Sequence, residues 1–154
     1  MTHAIEARLA DLGLTLPEAM APVANYVPFV QVGNLVFVSG QISKDDKGAI
    51  AGKVGAELTL EQGAYAAKCC GLALLAQAHA ACGGDWSKLK RVVKLTGFVN
   101  STPDFADQPK VINGCSDLLV EVLGDAGRHS RSAVSAGALP GNVAVEIEGI
   151  FELV

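Results

Sequence analysis

A long helix opening at Thr59-Leu60-Glu61-Gln62 limits the possible folds more sharply than any other segment. Threonine at the N-cap with glutamine three residues on is a capping box, which satisfies two backbone N–H groups that a helix start leaves unpaired. The helix is expected to run to about Ala81, with an apolar stripe through Leu60, Ala64, Ala67, Gly71, Leu74, Leu75 and Ala78. Such small side chains bury well only when the helix lies close against its neighbour, and a sheet offers that surface. Composition agrees: half of the 154 residues are apolar but only 5% are aromatic, so the core must be tight layers of Ala, Val, Leu and Ile. That length suits one domain with a core of its own, without disulfides or metals.

Around this helix the chain alternates between two periodicities. Thr2 to Leu12 spaces Ile5, Leu9 and Leu12 helically and stops at Gly13, and Pro17 and Pro22 then break any pattern up to Asn25. Tyr26 to Val32 and Leu35 to Ser39 are β-rich runs about Gly33-Asn34, a pair able to supply the positive φ of a tight hairpin. Ser43 to Ala56 is polar and glycine-rich, a surface excursion or second hairpin. After Gly83-Gly84 a strand is expected from Leu89 to Val99, with Leu89, Val93 and Leu95 on one side and Lys88, Lys90 and Lys94 on the other. A second helix follows Pro109 on the stripe Val111, Ile112, Cys115, Leu118, Leu119 and Val122, closed by Gly124. Ser130 to Ala136 and Asn142 to Val154 read as two strands joined at Leu139-Pro140-Gly141. The order of hairpin, helix, strand, helix, strand and strand predicts an α+β fold, with both helices on one face of a mixed sheet.

Several function classes recede on chemistry. The formal charge of −4 gives no general attraction to phosphates, and the cluster Lys88, Lys90, Arg91 and Lys94 reads as a solvated strand face, so nucleic acid is not an expected partner. The longest apolar runs fall well short of the roughly 20 residues that span a bilayer, and the N-terminus has no apolar run of a signal peptide, so no membrane role and a cytoplasmic location are expected. Cys69, Cys70, Cys82 and Cys115 lack the paired spacing of a zinc or redox site and read as small buried hydrophobes. There is no nucleophile elbow, no phosphate-cradling Gly-Lys-Ser/Thr loop and no pair of histidines at metal spacing.

What remains is a polar face near the C-terminus. By a period of two, Val143, Val145 and Ile147 point one way and Ala144, Glu146 and Glu148 the other, while Arg131, Ala133 and Ser135 lie opposite Ser132 and Val134. If the last two strands pair as a hairpin, an arginine and a carboxylate share a face, either as a site for a small polar ligand or as a structural ion pair on a solvated sheet. His129, close to Arg128 and Arg131, is either a proton carrier or a surface loop histidine.

Val38-Ser39-Gly40-Gln41-Ile42, Arg131-Ser132-Ala133-Val134, Leu139-Pro140 and Val145-Glu146-Ile147-Glu148, in this order and spacing, resemble the signatures of the Rid, or YjgF-like, family of reactive-intermediate deaminases. The resemblance covers Tyr26 to Val154, including Asp104-Phe105-Ala106, and leaves residues 1–25 as an N-terminal helix and irregular lead-in of a longer subgroup. It implies a chorismate-mutase-like α+β domain over residues 26–154, assembled as a homotrimer with a site in each cleft between subunits. It also implies hydrolysis of 2-imino acids to 2-keto acids and ammonia, with no cofactor and no metal. By the same resemblance, Arg131 corresponds to the arginine that binds the substrate carboxylate and Glu146 to the acid that positions water. Tyr26, Ser39 and Asn113 correspond to substrate-binding positions, although Ala24-Asn25 replaces the usual Gly-Pro and the stretch from Ala106 to Asn113 is longer and carries Pro109. The competing readings are a noncatalytic binder of keto or amino acids, the ribonuclease activity under which many members are labelled, and a deaminase of a larger substrate such as an aminomuconate.

Overall fold

The computed structural model describes residues 3–154, so Thr2 of the expected first helix lies outside the described residues. Helix α1 (Ala4–Asp11) starts at His3, whose Nδ1 accepts from the Ile5 amide at 3.1 Å. It packs on the second long helix rather than on the sheet, with Leu9 buried in the core and Arg8 Nε donating to the Glu121 carbonyl at 2.8 Å. Strands β1 (Phe29–Val32) and β2 (Leu35–Ile42) form the expected hairpin, paired through Val32 and Leu35. Gly33 takes φ 59° in its turn while Asn34 does not go positive, and Tyr26 falls in the lead-in rather than in the strand. The polar excursion is a small second hairpin, β3 (Lys44–Asp45) with β4 (Gly48–Ala49).

Helix α2 (Leu60–Ala81) carries the capping box as read from the sequence: Thr59 Oγ1 accepts from the Gln62 amide at 3.1 Å, and Gln62 Oε1 accepts from the Thr59 amide at 2.8 Å. Its small residues were expected to lie against a sheet, but Ala64 and Gly71 instead admit a second helix. Helix α3 (Gln108–Leu123) crosses it so closely that a Cβ on Gly114 would run into the backbone carbonyl of Ala64, and one on Gly71 would meet Leu118 at 2.9 Å. All six predicted stripe residues of α3 are buried, and Gly124 ends it with φ 64°.

Strands β5 (Leu89–Asn100), β6 (Ser130–Ala136) and β7 (Val145–Leu153) complete a mixed five-stranded sheet in the order β1-β2-β7-β5-β6. The chain is thus a mixed α+β domain with three helices on one side of the sheet, where α1 joins the two long helices that the sequence predicted. Two expectations fail here. The last two strands do not form a hairpin: β6 runs parallel to β5, and β5 lies between it and β7. The return from β6 through Pro140–Asn142 is long enough to cross β5, so adjacency in sequence does not become pairing. The faces of β5 also do not follow a single alternation, because its register against β7 shifts between Leu89 and Arg91 and again between Val92 and Lys94. Such bulges move the buried set, so Val92 and Leu95 both enter the core while Val93 is only half-buried. Lys88 belongs to the 3-10 turn Trp86–Lys88 ahead of the strand.

The core lies between the helices and one sheet face, filled by Val36, Val92, Leu95, Val145, Ile147 and Phe151 from the strands and by Leu74, Leu75, Ile112, Cys115 and Leu119 from the helices. All four cysteines are free and buried, the role expected of them. Among the described residues no helix covers the opposite sheet face, which leaves Val30, Val32, Leu35, Phe37 and Val134 exposed. Among the described residues, no helix is long and apolar enough to cross a membrane.

Candidate functional site

The two residues expected to carry the chemistry sit on opposite faces of the sheet. Arg131 pairs with Leu95 across β5 and β6, so its side chain leaves on the helix side, at the edge strand beside α3. Glu146 pairs with Phe98 of β5 and Ile42 of β2 and leaves on the open side, two strands further in. The alternation read from each strand is right; the assumption that the strands are neighbours is what fails. In one chain the arginine and the carboxylate therefore do not converge.

Each instead gathers its own surroundings. Around Glu146, strand β2 bulges: Val38 pairs with Gly149 and Gln41 with Ile147, so Ser39 and Gly40 together face the single residue Glu148. The absence of a side chain at Gly40 is used by the protein itself, since a Cβ there would lie 3.0 Å from the Glu146 carboxyl carbon. Partial burial, and then the neighbouring Glu148, push the Glu146 pKa up from the ordinary carboxylate value. Ser39 Oγ donates to the Val27 carbonyl at 2.8 Å, and its amide donates to the Pro28 carbonyl at 2.9 Å. These bonds fix the lead-in beside the bulge, and Tyr26, next to Val27, stands out from it more than half exposed. The structure thus ties the lead-in next to Tyr26 to Ser39, whose neighbour Gly40 faces Glu146.

Around Arg131, the partners come from α3 and from the turn before β6. Nη1 donates to Ser116 Oγ at 3.0 Å and Nη2 donates to the Pro109 carbonyl at 3.2 Å. Pro109, Asn113 and Ser116 follow the i, i+4, i+7 spacing of one helix face, so Asn113 lies between the two points that hold the guanidinium. Among the described residues no hydrogen bond joins Asn113 to Arg131. Ser116 Oγ is in turn 2.9 Å from His129 Nε2, and His129 Nδ1 donates to the Gly127 carbonyl at 2.6 Å. Burial lowers the His129 pKa, which favours the neutral ring. Beneath them the Cys115 thiol is fully buried and pushed up to about 12 by desolvation. Ser116 was not anticipated from the sequence; its place seven residues after Pro109 on the polar side of α3 was the available signal.

Arg131 has no carboxylate within ion-pair distance among the described residues; the ion pairs there are Lys90–Glu152 at 3.0 Å, Lys110–Asp107 at 3.6 Å and Arg128–Asp125 at 3.4 Å. Two of its N–H groups are committed to neutral oxygens, and the others remain for an anion. No group of three or more His, Cys, Asp or Glu is gathered for a metal ion among the described residues. A cavity of about 680 Å³ lies elsewhere, between the lead-in and α2, lined among others by Leu16, Met20, Tyr65, Cys69 and Gln77. It contains none of the five predicted residues and no arginine, so its size alone does not make it the better candidate.

Comparison with known proteins gives the family of the chain. The YjgF/chorismate mutase-like family profile, whose description also carries an endoribonuclease label, matches residues 6–152. The chain is 46% identical to protein TCP17 of Trypanosoma cruzi, over 97% of this chain and 94% of that protein. It is 32% identical to the 2-iminobutanoate/2-iminopropanoate deaminase of Salmonella typhimurium, over 86% of this chain and 90% of that enzyme. A crystal structure of a protein of unknown function from Agrobacterium tumefaciens superposes with a TM-score of 0.92 at 49% identity, covering 98% of this chain and 93% of the other. The chain belongs to the YjgF/Rid family.

Proposed function

We propose that the protein hydrolyses small 2-imino acids to 2-keto acids and ammonia, in a site completed between two copies of the chain. The observation that carries the reading is the free part of the Arg131 guanidinium, held in place by Pro109 and Ser116 with no carboxylate within ion-pair distance among the described residues. A planar substrate carboxylate matches its fork of N–H donors, and the electrophilic C=N carbon is then fixed next to it. Glu146 accepts a proton from water as the water oxygen bonds to that carbon and delivers it to nitrogen, giving a carbinolamine; the hydroxyl proton then passes to nitrogen as the C–N bond breaks, so ammonia leaves and the C=O of the keto acid forms. Its raised pKa keeps it basic enough for this exchange. The similar Salmonella enzyme, named for 2-iminobutanoate and 2-iminopropanoate, supports this substrate class.

The same geometry supports assembly. Arg131 and Glu146 on opposite faces of one sheet cannot act on one small substrate, but Arg131 at the edge strand of one copy can be brought against the open face of the next. That face carries the exposed Val30, Val32, Leu35 and Phe37, a patch that a second copy would cover. A closed ring of three copies uses each patch once and builds three equal sites. Against the ribonuclease reading stand the charge of −4 and the local use of the basic cluster, where Lys90 is paired with Glu152 and Arg91 donates to the Arg128 carbonyl. The test is a coupled assay that generates 2-iminobutanoate and 2-iminopropanoate and follows keto-acid appearance. Acceleration above the spontaneous rate is expected; saturable ligand binding without acceleration would make the protein a binder instead.

A further inference from the structure

We propose that Ser116 and His129 are positioning residues that set the orientation of the Arg131 guanidinium through a directed chain of hydrogen bonds, an assignment that rests on Arg131 as the carboxylate anchor. The direction follows from donors and acceptors alone. The Gly127 carbonyl can only accept, so at 2.6 Å the proton on His129 is on Nδ1. The neutral ring then offers Nε2 as an acceptor, 2.9 Å from the Ser116 hydroxyl, which must donate to it. That leaves a lone pair of Ser116 Oγ for Arg131 Nη1 at 3.0 Å. Every group in the chain from Gly127 through His129 and Ser116 to Arg131 has one role, and each role fixes the next.

The arrangement has a consequence for the anchor. Arginine carries several freely rotating bonds, and at a half-buried sheet edge its head would sample several orientations. Ser116 holds Nη1 from one side and the Pro109 carbonyl holds Nη2 from the other, so the plane of the fork is set by two points on α3. The Pro109 carbonyl belongs to the helix backbone and is fixed by it. Ser116 alone could rotate its hydroxyl away, and His129 removes that freedom. The ring is itself half-buried beside Arg131, so a protonated His129 would place a second cation against the guanidinium; the other charged groups of this region, Arg128 with Asp125 and Arg91 on the Arg128 carbonyl, are turned to solvent or to backbone.

The test uses the assembled protein and 2-oxobutanoate, a stable 2-keto acid that presents the same carboxylate. Its Kd is measured by calorimetry, together with KM and kcat on the imine. Ser116→Ala and His129→Ala are each expected to weaken 2-oxobutanoate binding about tenfold, the scale of one lost hydrogen bond to a charged group, and to raise KM similarly with kcat changed far less. Ser116→Thr keeps the hydroxyl and is expected to bind as the parent does. Because the two residues act in series, the double alanine variant should be no weaker than either single one, and neither change should matter once Arg131 is lysine. His129→Phe fills the same space without an acceptor and replaces the alanine variant if that one fails to fold. Parent-like Kd and KM in folded Ser116→Ala and His129 variants, or fully additive effects, would overturn the positioning role while leaving the function intact. A parent protein that binds no 2-keto acid and accelerates no imine hydrolysis would overturn both.

Discussion

In the proposed mechanism Arg131 binds and Glu146 transfers the proton, and single substitutions separate the two roles. In Arg131→Lys the charge stays but the planar fork is lost, and a loss of roughly 1.5–3 kcal/mol of charge-assisted bonding corresponds to about a ten- to hundredfold fall in kcat/KM, with thermal stability near the parent's. A folded Arg131→Lys protein with the parent's kcat/KM would remove the anchor. Glu146→Gln keeps a hydrogen-bond acceptor for water but cannot take its proton, so kcat should fall with 2-oxobutanoate binding preserved. The sign of the pH effect follows from the raised pKa: Glu146 must be ionised to act, and burial and Glu148 make it lose its proton at higher pH than a free carboxyl. The acid limb of kcat/KM is therefore expected above the ordinary carboxylate range, and a pH–rate profile that stays flat down through that range would exclude Glu146 as the base. Gly40→Ala probes the same carboxyl from behind. Its Cβ would press on a carbon 3.0 Å away, so turnover should drop more than stability does, as paired kinetic and melting measurements would show.

At the level of elements, what could be read from the sequence was whatever depends on local periodicity and capping. The capping box at Thr59, the stripe of α3, the Gly33 hairpin and the alternation of β6 and β7 all follow from neighbours within a turn or a pleat, and all are present. Strand order was not legible, because nothing within β6 or β7 says that β5 will lie between them, and that one gap put Arg131 and Glu146 on a shared face. The bulges of β5 were hidden for a similar reason: they are set by its pairing with β7. Ser39 is tied to the lead-in through the Val27 carbonyl, a contact that no local pattern announces, and Ser116 is visible only once α3 flanks the edge strand. The close crossing of α2 and α3 gives its own test. Gly114→Ala sets a methyl against the backbone of Ala64, which cannot rotate aside, so a destabilisation of about 1–3 kcal/mol is expected in urea unfolding. An unchanged midpoint would mean that the helices pack more loosely than this.

For the whole molecule, the proposed account requires that one copy be incomplete. The exposed Val30, Val32, Leu35 and Phe37 predict association, and light scattering at micromolar concentration should give three copies, with Phe37→Asp shifting the protein toward monomer and abolishing hydrolysis together. Association alone, however, would not show that a site is shared. Complementation does. Arg131→Lys and Glu146→Gln chains, each nearly inactive alone, are co-refolded in equal amounts so that mixed assemblies form. If Arg131 of one copy serves Glu146 of the next, random mixing into rings of three restores both native residues to roughly a quarter of the sites, and about a quarter of wild-type activity should return. If the mixture is no more active than the sum of its parts although mixed assemblies are present, each site is built within one chain and the proposed intersubunit cleft is wrong.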